Sequence, residues 1–160
     1  MNDAHLHLVV NHFPIIGTIF GLGILIGGIV FKNNAVKNVS YIIFVVAAIF
    51  TLASMSTGEG AEELVEDMPS IGKQIIHEHE ELAEKLAFVM YILGAFSLLG
   101  LYTTIKNHSK AKLVSFLVLV IAVVGVVLAK SVGTSGGEIR HTEIRANEQP
   151  AQTNEAEDND

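Results

Sequence analysis

The chain has 160 residues, half of them hydrophobic, and a formal net charge of -7. It contains no cysteine, which excludes disulfides, thiolate metal sites, iron–sulfur ligation and covalent c-type haem attachment, and leaves histidine and carboxylate as the strong ligands. The charges are bunched between long apolar runs rather than spread as on a soluble surface, and no nucleic-acid partner is expected.

Four runs approach the roughly 17–25 apolar residues that cross a bilayer core. They are residues 13–31, 41–56, 86–105 and 113–129. Helices of a soluble core keep a polar face, and these keep none. The first run follows a segment without Lys or Arg, so it reads as a retained helix rather than a cleaved signal peptide. Its glycines, Gly17, Gly21, Gly23, Gly27 and Gly28, form small-xxx-small patterns that favour close helix packing, with room for a flat macrocycle as the other reading. The expected fold is all-α: a four-transmembrane-helix bundle over residues 1–146, followed by an acidic, disordered tail over 147–160.

Ahead of the first run lies HLHLVVNHFP, with His5, His7 and His12. On a helix His5 and His7 are separated by about 200 degrees, and His7 and His12 by about 140 degrees and about 7.5 Å of rise. The first pair cannot chelate one ion, and the second is poorly placed to do so but allows separate roles. Pro14 removes a backbone donor and can kink the segment.

The loop after the first run carries Lys32 and Lys37, and the loop after the third carries Lys106, Lys110 and Lys112. Both are expected on the cytoplasmic side. The connection over residues 57–85 is strongly acidic and is expected to be exported, as are both termini, in a bacterial cytoplasmic (inner) membrane. Tyr41 and Tyr102 then fall at the cytoplasmic interface. Every histidine except His108 is placed at the outer end.

Residues 61–66 and 74–85 of the middle connection are rich in helix formers, with Pro69 and Gly72 between them. The second and third helices are therefore expected to extend into an exported helical hairpin that turns at MPSIG. The stripe from His79 through Leu82, Ala83, Leu86 and Met90 turns His79 toward the bundle axis, while His77 meets Glu80, Glu81 and Glu84. After the fourth run, GTSGGEIRH reads as a flexible exit ending in His141.

HLHLVVNHFPI resembles the opening of a family of small bacterial membrane proteins, domain of unknown function 2231, matched by His7, His12, Phe13 and Pro14, with Leu8 where the family has proline. TGEGAEELVE, HEHEELAE and GGEIRH continue the resemblance over residues 5 to about 141. It implies a four-helix membrane bundle. Some members of the family are fused to, or found beside, cytochrome c and Rieske-type modules, which points to electron transfer or redox-metal handling.

The leading expectation is a membrane protein that holds b-type haem, or else a non-haem metal ion, through histidines at the outer end of the bundle. His12 and His79 are the expected facing axial pair, with His7 and His141 as further cofactor-binding groups. Glu59 and Glu62 would orient imidazoles or, with His77, complete a metal site. Quinone and an exported cytochrome are the expected redox partners, alone or within a homo-oligomer or respiratory complex. The rival class is a non-catalytic membrane subunit or assembly factor without cofactor, in which histidines and glutamates satisfy one another. No hydrolase motif is present, and no charged residue at mid-bilayer suggests a transporter.

Overall fold

A computed structural model describes residues 2–66, 68 and 71–145. The expected tail over 147–160 and part of the MPSIG turn lie outside these residues. Among those described, all regular structure is helical: α1 (Asp3–Val10), α2 (His12–Val30), α3 (Asn34–Glu63), α4 (Lys73–Ile105), α5 (Ala111–Arg140) and a 3-10 turn (Thr142–Ile144).

α1 and α2 form one rod. Asn11 between them keeps helical angles (φ -67, ψ -20) and its N–H donates to the His7 carbonyl. Regular bonding lapses there because Pro14, four residues beyond Val10, has no N–H for the Val10 carbonyl. At the opposite end, α2 and α4 stop at residues with left-handed backbone, Lys32 (φ 52) and Asn107 (φ 49). The Asn33 side chain then caps α3 by accepting from the N–H groups of Ala35 and Val36.

Short connections make successive helices antiparallel. α2 packs on α3, α3 on α4 and α4 on α5, α5 closes the ring against α2, and α1 lies on α3. Four helices, counting α1 and α2 as one, are long and apolar enough to cross a membrane. Their outer surface carries Phe20, Ile26, Phe88, Leu98 and Val127, while Thr18, Ser40 and Ser97 are fully buried. An apolar outer surface around a core that mixes apolar side chains with small hydroxyls suits lipid, where close packing and interhelical hydrogen bonds replace the hydrophobic effect. The chain is a multi-pass membrane protein.

Glycines at several helix contacts set the spacing, Gly21, Gly28, Gly94 and Gly100 among them. A Cβ on Gly21 would lie 2.5 Å from the Phe44 ring, and one on Gly100 would lie 2.8 Å from the Tyr41 ring. Gly23 and Gly27 face open space, so only part of the glycine pattern in α2 serves packing.

Two expectations are corrected. Tyr41 is fully buried, its hydroxyl 2.7 Å from Ser115 Oγ, because Gly100 leaves its ring a seat inside the bundle. GTSGGEIR is not a flexible exit: α5 runs through it to Arg140, since packing against neighbouring helices outweighs the weak helix propensity of glycine, serine and threonine. Arg145 folds back to donate to the Glu138 carbonyl at 2.7 Å and to that of Ile139 at 3.2 Å, capping the helix end.

α3 and α4 have 30 and 33 residues, about 45 and 50 Å at 1.5 Å per residue. Both exceed the roughly 30 Å hydrocarbon core. Their surplus length lies largely at the end that also holds α1 and the close of α5.

Candidate functional site

At that end two histidines turn inward, in helix segments beyond the apolar runs 13–31 and 86–105. His7, on α1, rests against α3, where Nδ1 lies 3.1 Å from the Ser54 carbonyl and 3.2 Å from Thr57 Oγ1. A carbonyl only accepts, so Nδ1 carries the proton. His79, on α4, reaches α5, with Nδ1 2.9 Å from Ser135 Oγ. The Ser135 hydroxyl also lies 3.1 Å from the Val132 carbonyl and can donate to either acceptor, so the His79 tautomer follows the Ser135 proton. A Cβ on Gly136 would lie 3.0 Å from His79 Cε1, so glycine is what lets the ring lie on the α5 backbone.

Each ring is therefore tethered to protein through Nδ1, no protein group meets either Nε2 among the described residues, and the neutral His7 ring carries its proton on Nδ1 and a lone pair on Nε2. Burial lowers the pKa of His7 below the ordinary 6.5, against a smaller opposing effect of the Ser54 carbonyl. Burial likewise lowers that of His79, and a charge on His7 lowers it further. Asn11 follows His7 by four residues on the same helix face, and its side-chain oxygen is buried without a hydrogen-bond partner among the described residues.

The structure does not bring His12 and His79 together. Five residues of helix turn His12 about 140 degrees from His7, so with His7 on the bundle side His12 is exposed. Its Nδ1 donates to the Leu8 carbonyl at 2.8 Å. His141 stands apart as well, exposed at the end of α5 with Nδ1 2.9 Å from Glu143 Oε1. His77 is exposed beside Glu80 and Glu81, at 3.6 and 3.4 Å. Glu59 is exposed and Glu62 half-buried. Among the described residues no three His, Asp or Glu side chains converge as an ion site would require.

Sequence reasoning missed Ser54, Thr57, Ser135 and the inward phase of His7. A signal for that phase exists. Val10, Pro14, Thr18, Gly21, Leu25 and Gly28 are the buried residues of the first rod, and stepping back three from Val10 reaches His7, whereas His12 falls outside the stripe.

Beside His12 an apolar groove runs between α2 and α3, with a volume of about 340 Å³. Phe13 and Phe50 stack within it, ring centroids 4.3 Å apart and planes 15° apart. No family model, no curated protein and no solved structure matches the chain.

Proposed function

We propose that this membrane protein binds a redox cofactor, b-type haem, at the end of the bundle where His7 and His79 turn inward, and serves in electron transfer. The observation that carries this reading is that two half-buried histidines on different helices are each held by protein through Nδ1, with no protein group on Nε2 among the described residues. Metal-ligating histidines are ordinarily oriented in this way through the other ring nitrogen. A two-histidine set suits axial ligation of haem iron, and favours it over a caged ion, which needs further ligands. His7 replaces His12 as the partner of His79. Haem would supply reversible one-electron transfer, while the chain's own residues hold the rings neutral and oriented.

The resemblance to domain of unknown function 2231 supports the same reading. Exposed Lys32, Lys106, Lys110 and Lys112 at the opposite end support an exported histidine end and exported termini in a bacterial cytoplasmic membrane, with quinone and an exported cytochrome as partners.

The second reading, a subunit without cofactor, draws on the same hydrogen bonds, which give each ring one partner inside the bundle. Absorption spectra of the full chain, purified from haem-sufficient cells, separate the two. The oxidised and dithionite-reduced forms should show a Soret band and a sharpened reduced α-band, lost in His7→Ala and His79→Ala and kept in His12→Ala and His141→Ala. A colourless protein, or colour kept in both of the first two variants, contradicts the haem reading.

A further inference from the structure

The turn between α4 and α5 stands at the end of the bundle away from His7 and His79, and its chemistry is separate from theirs. Over KNHSKAK it carries Lys106, Lys110 and Lys112, all exposed. The chain has no carboxylate between Glu84 and Glu138, and among the described residues none of the three lysines makes an ion pair. At the other end Lys73 meets Glu66 at 3.1 Å and Lys85 meets Glu81 at 3.3 Å. The three cations of the turn therefore stand without a counter-charge. Two of them, Lys110 and Lys112, sit at the start of α5, where the positive end of the helix dipole opposes them further.

His108 adds a donor to this set. The Lys110 N–H donates to His108 Nδ1 at 3.1 Å, so the neutral ring carries its proton on Nε2 and can only donate there. The other turn at this end is built differently. Asn33 takes up the N–H groups at the start of α3, and Lys37 is buried with its stem against Gly28.

Water meets exposed ammonium groups anywhere, but it does not suit the surface directly beneath these. Tyr102 precedes Lys106 by four residues and Phe116 follows Lys112 by four, so each ring shares the helix face of its lysine. Both rings are more than half exposed, as are Ile105 and Leu113 beside them, on helices that cross the membrane. Cationic donors at the interface above an exposed apolar face fit a ligand with a negative headgroup and hydrocarbon chains.

We propose that the turn between α4 and α5 binds an anionic phospholipid, with its phosphodiester held by Lys106, Lys110 and Lys112 and its acyl chains along Ile105, Leu113 and Phe116. Phosphatidylcholine brings a trimethylammonium group that the lysines repel, whereas phosphatidylglycerol brings none.

The chain has no tryptophan, so a single introduced one reports the lipid at its own position. Phe116→Trp places that reporter beneath the lysines, and Phe88→Trp, at an exposed position toward the other end of α4, serves as the comparison. The full chain is reconstituted in phosphatidylcholine bilayers with a rising share of brominated phosphatidylglycerol or brominated phosphatidylcholine, and quenching gives the relative affinity of the two lipids at each reporter. Phosphatidylglycerol should be favoured about fivefold or more at Phe116→Trp, the effect of at least one lysine near an anionic headgroup, and not favoured at Phe88→Trp. Lys106→Gln, Lys110→Gln and Lys112→Gln together should abolish the preference, while Lys73→Gln with Lys85→Gln should keep it. Sodium phosphate added at constant ionic strength should leave it intact, because a free anion lacks the chains. Equal affinity of the two lipids at Phe116→Trp, the same preference at both reporters, a preference kept in the triple lysine variant, or one erased by phosphate at fixed ionic strength would overturn the proposal.

Discussion

The two ends of the bundle bury polar side chains between helices in different ways. At the lysine-bearing end, the Tyr41 hydroxyl meets Ser115 Oγ at 2.7 Å, and Ser115 donates onward to the Ala111 carbonyl at 2.8 Å. Nothing in that chain of hydrogen bonds is left to offer a ligand. At the other end, His7 and His79 are tethered through Nδ1 alone, and no protein group meets either Nε2 among the described residues. The contrast separates a hydrogen bond that locks two helices from one that aims an atom, and it is the reason the proposed site lies at the histidine end.

The largest effect expected from testing this contrast lies at the locked end. Gly100→Leu drives a side chain into the Tyr41 ring and should destabilise the bundle by about 3 kcal/mol, the upper part of the range for overpacking, with Gly23→Leu near neutral because its Cβ meets open space. Reversible unfolding in mixed micelles measures both, and a neutral Gly100→Leu would show that the Tyr41 seat is not tight. Tyr41→Phe should cost about 1 kcal/mol, since Ser115 retains the Ala111 carbonyl. A cost near that of Gly100→Leu would mean the hydroxyl, rather than the fit of the ring, locks this end.

The smallest effect belongs to the histidine end and is read in pH. Folding lowers the pKa of His7 and His79 below 6.5, so the unfolded chain binds more protons than the folded one as pH falls through that value. Stability from this source is complete above about pH 6.5 and is lost as pH drops below it, toward and through the lowered folded values. Unfolding measured from pH 8 to pH 5 should show that loss in the native chain, and the double variant His7→Ala, His79→Ala should be flatter. Equal slopes would mean that the rings are free to charge in the folded state.

Much of the fold was legible in the sequence because lipid imposes a length and a hydropathy that four runs satisfy. The inward turn of His79 was legible too, since its stripe continues through Leu86 and Met90 into the core. His7 and His12 were harder to rank. Each stands beside apolar residues, and only the buried stripe from Val10 to Gly28, four of whose six residues are glycine, threonine or proline, shows which phase faces inward. Tyr41 was misplaced for a related reason: a tyrosine near a span's end suits an interface, and its burial depends on Gly100, 59 positions away in the chain. The helix through GTSGGEIR is likewise held by packing between elements, including Gly136 under the His79 ring, which local propensity does not contain.

The most direct test of the central claim asks which histidine faces His79. The native chain has no cysteine, so paired replacements report contact without background. His7→Cys with His79→Cys should be joined within the monomer by a short bifunctional thiol reagent in native membranes, whereas His12→Cys with His79→Cys should stay unlinked. Efficient linkage of the His12 pair and none of the His7 pair would contradict the site described here.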